Sequence, residues 1–236
     1  MPFARSLALL YGEQREPDHD HEARDQGDEA EESGDETQSA ASIRRRRDAT
    51  GSLLMSAHER LVAELRAHAL VIGTVTLTSG RTAEYYVDAK RAILRPAGFR
   101  ALGELVAAEA RAREATAVGG MTMGADPVAC AALAGGAEVS AFFVRKEVKA
   151  HGLHRSIEGP PLSEGERCLV VEDVVTTGGS TLAAIERIQA DGLRVVGVVA
   201  VLDRLAGGGA AIEAAAEAPY TALTTIDDVY PERPDR

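Results

Sequence analysis

The sequence predicts an α/β fold with a central, mostly parallel sheet flanked by helices. Three observations carry this. From residue 55 onward, short apolar runs alternate with segments of helical period. Those runs are continuous in Val, Ala and Leu, as strands are when both faces are covered. One of them, Cys168–Glu172, runs into a Thr/Gly loop and then a helix, the unit from which parallel sheets are built.

The elements follow in order. Leu61, Val62, Leu65 and Ala69 recur at helical spacing behind Ser56, a suitable N-cap. Gly73–Asp88 predicts a hairpin, with strands Thr74–Thr78 and Tyr85–Asp88 joined by a Ser79-Gly80 turn. Pro96–Ala112 is a long Ala/Leu helix. Ala117-Val118 is a short strand that enters a glycine loop, Gly119–Gly124. Pro127 suits the first turn of a helix ending near Leu133. Val139–Arg145 and Cys168–Glu172 are strands, and a helix runs from Ser180 to Ala190 with Asp191-Gly192 as its stop. Arg194–Leu202 is a further strand. Gly207–Gly209 predicts a flexible loop before an Ala-rich surface helix, and Pro231–Arg236 a polar terminus.

Composition narrows the function. The 236 residues are 45% hydrophobic but only 4% aromatic, with no Trp, so the core must be Ala, Val, Leu and Ile. A net charge of -11 argues against broad nucleic-acid or membrane-surface binding, which needs basic stripes. No apolar run approaches the roughly 20 residues of a membrane span, so the expected location is cytoplasmic. Cys130 and Cys168 form no Cys-x-x-Cys pair and have no His at zinc-ligand spacing, which predicts two buried thiols. Residues 1–54 read as a disordered acidic extension, dense in Asp and Glu over Asp18–Glu36, with Arg44–Arg47 as solvated charge. Met55 opens the folded pattern and is the expected natural start, which makes 55–236 the functional domain.

The sharpest motif is Val170-Val171-Glu172-Asp173-Val174-Val175-Thr176-Thr177-Gly178-Gly179-Ser180-Thr181. A buried strand ends in two carboxylates, a Thr/Gly loop follows, and a helix begins. Free backbone N–H groups and the dipole at a helix N-terminus favour a phosphate. The hydroxyls of Thr176, Thr177, Ser180 and Thr181 are further candidate donors. An acid pair can accept from two vicinal ribose hydroxyls, so the motif describes a sugar phosphate. Neither a Gly-x-x-x-x-Gly-Lys-Ser/Thr loop nor a Gly-x-Gly-x-x-Gly turn occurs.

This segment resembles the motif of type I phosphoribosyltransferases that binds phosphoribosyl diphosphate (PRPP). The resemblance implies that Glu172 and Asp173 hold the ribose hydroxyls. It implies that Val174, Val175, Thr176, Thr177, Gly178, Gly179 and Ser180 surround the 5-phosphate. It also implies the family's fold, with a small N-terminal hood.

Three more segments resemble orotate phosphoribosyltransferases in particular. Leu77–Asp88 is similar to the hood hairpin, which implies that Tyr86 lies near the orotate ring; some relatives carry Lys where this chain has Thr78. Gly119–Pro127 looks like the glycine loop under the diphosphate, with Met123 where some relatives have Lys. Arg145-Lys146-Glu147-Val148-Lys149-Ala150-His151-Gly152 resembles the mobile catalytic loop. By that resemblance Arg145, Lys146, Lys149 and His151 contact the diphosphate. Lys149 and His151 are then the catalytic pair, acting across a homodimer. Arg204, after Val201-Leu202-Asp203, ends a strand at the same crevice, where a guanidinium fork matches the orotate carboxylate; resemblance adds Thr176 to that contact.

The implied reaction is transfer of ribose 5-phosphate from PRPP to orotate, with Mg²⁺ held mainly by PRPP and no dedicated protein metal site. Two alternatives remain open at this point: a phosphoribosyltransferase for another base, and a PRPP-sensing regulatory protein. The hood and Arg204 weigh against the first. The loop at 145–152 and the acidic surface weigh against the second.

Overall fold

Residues along each central strand point alternately to two helix layers, and this alternation organises the core. In β6 (Arg167–Val175), Leu169 and Val171 pack in one cluster while Cys168 and Val170 pack in the other. In β7 (Arg194–Asp203), Val199 and Val201 face the first cluster, Val198 and Ala200 the second. Each strand is therefore apolar on both faces, as its continuous Val/Ala composition requires.

The computed structural model describes residues 55–76, 82–147 and 156–236. The expected tail 1–54, the Ser79-Gly80 turn, Thr78, Lys149 and His151 lie outside the described residues. β3 (Ala117–Met121), β4 (Ser140–Val144), β5 (Ile157–Glu158) and β8 (Tyr220–Thr225) join β6 and β7 in one sheet of order β5-β4-β3-β6-β7-β8. All pairings are parallel except β4 with β5. The mostly parallel sheet is thus as expected.

One layer contains α1 (Ala57–His68), α2 (Lys90–Ile93), α3 (Pro96–Ala112) and α4 (Asp126–Ala134). The other contains α5 (Gly179–Ala190) and α6 (Gly208–Ala216). Ser56 caps α1 as predicted, in a reciprocal capping box with Glu59. β1 (Leu70–Thr76) and β2 (Thr82–Val87) form a separate antiparallel pair, the hood. β1 begins four residues earlier than expected, because Leu70–Ile72 already pair with Val87–Tyr85.

Several boundaries differ from the sequence reading. Gly119 and Gly120 belong to β3, fully paired with β4, and the loop begins only after Met121. Gly208 and Gly209 open α6 and are not a free loop. Cys130 is exposed, correcting the expectation of two buried thiols: α4 turns Val128, Ala129, Ala131 and Ala132 inward and leaves Cys130 on its outer side. Cys168 is buried, and burial with the nearby Glu166 charge pushes its thiol up to about 12, away from reactivity.

Candidate active site

The strand order puts a switch point between β3 and β6. The chain leaves β3 through α4 toward β4, and leaves β6 through α5 toward β7, on the opposite side. Loops at the carboxyl ends of these adjacent strands diverge and open a crevice, where ligands of α/β sheets bind. A cavity of about 240 Å³ lies there. The β3 loop lines it with Met121, Thr122, Met123 and Gly124; β6 and α5 contribute Glu172, Asp173, Val174 and Ser180. Lys90 and Lys146 are its lysines.

Both acids are buried, at 4% and 8% exposure, so their charges need partners. The pleat sends them to opposite sides. Glu172 meets α5, where Ser180 Oγ donates at 2.6 Å and Thr181 Oγ1 at 3.1 Å. Asp173 meets the hood side, where Lys90 Nζ donates at 2.8 Å and the Val174 N–H at 2.8 Å. Burial, aided by the Asp173 charge, pushes the Glu172 carboxyl up to about 7 despite the two hydroxyls. Gly124 closes the cavity against the pair: a Cβ there would lie 2.4 Å from Asp173 Oδ1 and 2.9 Å from Glu172 Oε1.

The loop after β6 has the properties of an anion cradle. Thr176, Thr177, Gly179 and Ser180 are exposed. Gly178 takes φ +81°, a left-handed conformation, and starts α5 without a side-chain cap, so the first-turn N–H groups are left to a ligand. Ser180 and Thr181 give their hydroxyls to Glu172, so Ser180 faces an anion with its main chain. The α6 N-terminus braces the loop, with the Gly208 N–H donating to Thr176 O at 3.2 Å.

Arg204 stands one strand over. Its N–H donates to Val175 O at 2.8 Å, which ties it to the end of β6. The buried Asp203 carboxylate fixes the turn by accepting from the Leu205 N–H at 2.7 Å and the Tyr220 O–H at 2.8 Å. The Arg204 guanidinium lies 4.8 Å from the Tyr85 ring centre, and its Nη2 donates to the Tyr85 oxygen at 2.8 Å. Tyr85 in turn donates to Asp235, which lies 3.7 Å from Arg204. The structure thus brings Tyr85 to Arg204, whereas Tyr86 points to the exposed side of β2.

Arg145 and Lys146 sit where β4 ends. Arg145 pairs with Glu158 at 3.0 Å, while Lys146 lines the cavity. Arg187 of α5 donates to the carbonyl oxygens of both. Arg187 and Lys90 are site residues that sequence reasoning missed. Neither lies in a recognisable motif, and each acts on residues more than 40 positions away.

Comparison with known proteins agrees with this geometry. Residues 90–215 match the family model described as "Phosphoribosyl transferase domain". Orotate phosphoribosyltransferase of Corynebacterium glutamicum (strain R) is 43% identical over 182 residues, covering 77% of this chain and 98% of that protein. The crystal structure of Mycobacterium tuberculosis H37Rv orotate phosphoribosyltransferase with Fe(III) dicitrate is 42% identical. It superposes with a TM-score of 0.67, over 74% of this chain and 99% of that one. The same enzyme in complex with PRPP matches with a TM-score of 0.63 and 38% identity, over 73% and 98% of the two chains. With its strand, acid pair, phosphate loop and hood in this arrangement, the chain belongs to the phosphoribosyltransferases, in the orotate phosphoribosyltransferase family.

Proposed function

We propose that this chain transfers the 5-phosphoribosyl group from PRPP to orotate, giving orotidine 5'-phosphate and diphosphate in pyrimidine biosynthesis. The observation that carries it is the acid pair and phosphate loop at the β3/β6 switch point, with Arg204 one strand over. The catalytic unit is 55–236, and residues 1–54 are an acidic extension to it.

The 5-phosphate sits on the main-chain N–H groups of Thr176–Ser180, at the start of α5, with Val174 and Val175 lining the approach from β6. Glu172 and Asp173 accept from the ribose hydroxyls. The diphosphate lies over the β3 loop, beside Lys146 and Arg145. Arg204 and Thr176 take the orotate carboxylate, with Tyr86 near the ring. Of the two tyrosines, Tyr85 shapes the arginine and Tyr86 is left free for the base.

As the C1–oxygen bond breaks, negative charge gathers on the leaving diphosphate, and stabilisation must be placed there. Lys149 and His151 bring it from the loop of the neighbouring subunit, so the working unit is a homodimer. Loop closure also excludes water that would otherwise hydrolyse PRPP. Mg²⁺ arriving with PRPP would supply further charge neutralisation at the diphosphate. Among the described residues no three His, Cys, Asp or Glu side chains converge in a group that could hold a metal ion.

The reverse reaction tests this reading. Purified protein given orotidine 5'-phosphate, diphosphate and Mg²⁺ is expected to release orotate and PRPP. Absence of both products from folded protein would overturn it.

A further inference from the structure

Lys90 opens α2, which links the hood to the sheet, and reaches an acid 83 residues away. Its Nζ lies 2.8 Å from Asp173 Oδ2 and 3.0 Å from Asp88 Oδ1. Asp88 also accepts from the Lys90 backbone N–H at 3.2 Å, so it anchors the residue at both ends. Burial pulls the ammonium down, but the bonds to Asp173 and then Asp88 outweigh it and leave its pKa raised. The lysine is therefore a permanent cation in the cavity.

The two adjacent carboxylates of β6 repel each other, and the fold offsets this on two sides. Hydroxyls of α5 hold Glu172. On the other side, Lys90 takes Asp173 Oδ2 while the Val174 N–H takes Oδ1. Each Asp173 oxygen keeps a lone pair for an incoming hydroxyl. The ammonium has three donors, two engaged by carboxylates. Met123, on the facing loop, is uncharged. Lys90 and Lys146 are thus the cavity's cations among the described residues.

We propose that Lys90 is a positioning residue of the PRPP site: from the hood side it sets the Asp173 carboxylate that receives a ribose hydroxyl. This rests on the reading of Glu172 and Asp173 as ribose ligands. It also links the hood, which carries the base side of the site, to the ribose side.

The test compares Lys90→Met and Lys90→Arg with the wild type, varying PRPP and orotate separately in the presence of Mg²⁺. Thermal midpoints are recorded alongside. Lys90→Met is expected to raise the KM for PRPP about tenfold to a hundredfold, the loss of a charge-assisted hydrogen bond. The orotate KM should hold, and Lys90→Arg should recover most of the loss. Direct titration of PRPP with Mg²⁺ should show the same weakening without turnover. Should Lys90→Met fail to fold, Asp88→Asn loosens the lysine without removing its charge and should raise the same KM by less. An unchanged PRPP KM in folded Lys90→Met would overturn the proposal. So would a parallel loss for both substrates that tracks the thermal midpoint and is not rescued by Arg. Wild-type protein that neither binds PRPP in the titration nor consumes any base with it would instead overturn the ribose reading.

Discussion

At the residue scale, the acid pair governs the site because each acid is buried differently. Glu172 is pushed up to about 7 by burial and by the Asp173 charge, so near neutral pH it is poised between protonated and charged forms. The folded protein keeps a proton that the unfolded chain has already released. Its contribution to stability is therefore full below the ordinary carboxylate range and is lost as pH rises through about 7. Substrate binding runs the other way, because ribose hydroxyls donate to a charged carboxylate. Between about pH 5 and 8, PRPP affinity should rise while the thermal midpoint of the free protein falls. Both slopes should flatten in Glu172→Gln, and equal slopes in wild type and variant would remove Glu172 from that role.

Legibility at this scale depended on sequence distance. Glu172, Asp173 and the phosphate loop are contiguous, so a single stretch displayed them. Arg204 could be found because it ends a strand at the same edge. Lys90 could not, since Asp-Ala-Lys in a linker carries no signal until the fold brings it to Asp173. Tyr85 and Tyr86 are neighbours in sequence with opposite fates. The alternation of β2 decides between them by burying Tyr85 at 3% exposure and leaving Tyr86 at 40%.

At the element scale, the turn from β6 into α5 is the part on which phosphate binding depends. Gly178 has φ +81°, and a Cβ there would meet Ile212 of α6 at 3.0 Å. Gly178→Ala should therefore cost about 1–2 kcal/mol from the left-handed backbone alone. It should also weaken binding of ribose 5-phosphate, which calorimetric titration would measure. Native stability and native affinity together would mean that the turn does not set the cradle. The long, strongly patterned elements α1, α3, α5, β6 and β7 were readable from period and composition. β8 was not: Tyr220–Thr225 is rich in Thr and only partly buried at the sheet edge, so no apolar run marks it. β5 and α2 are too short to show any period.

At the scale of the whole molecule, the strand order makes the site. Chain reversal at β3 and β6 places a glycine loop beside an acid pair some fifty residues later, and the N-terminal side contributes Tyr85 from the hood and Lys90 from α2. The fold class was legible because both faces of a parallel sheet demand continuous apolar strands. The order of those strands was not, because any Val/Ala-rich strand satisfies the same demand. If Lys149 acts across a dimer, two inactive variants should complement. Mixing Lys149→Ala with Asp173→Asn after subunit exchange should restore about a quarter of wild-type activity, from one intact site in each hybrid. No gain on mixing would place the loop in its own subunit.

The most direct measurement is the forward reaction with a panel of bases. Protein, PRPP and Mg²⁺ are incubated with orotate, uracil, adenine or hypoxanthine, and base consumption is followed. Consumption of orotate alone is the expected result, with the carboxylate that Arg204 recognises making the difference. Consumption of a base that lacks a carboxylate, with orotate untouched, would contradict the account.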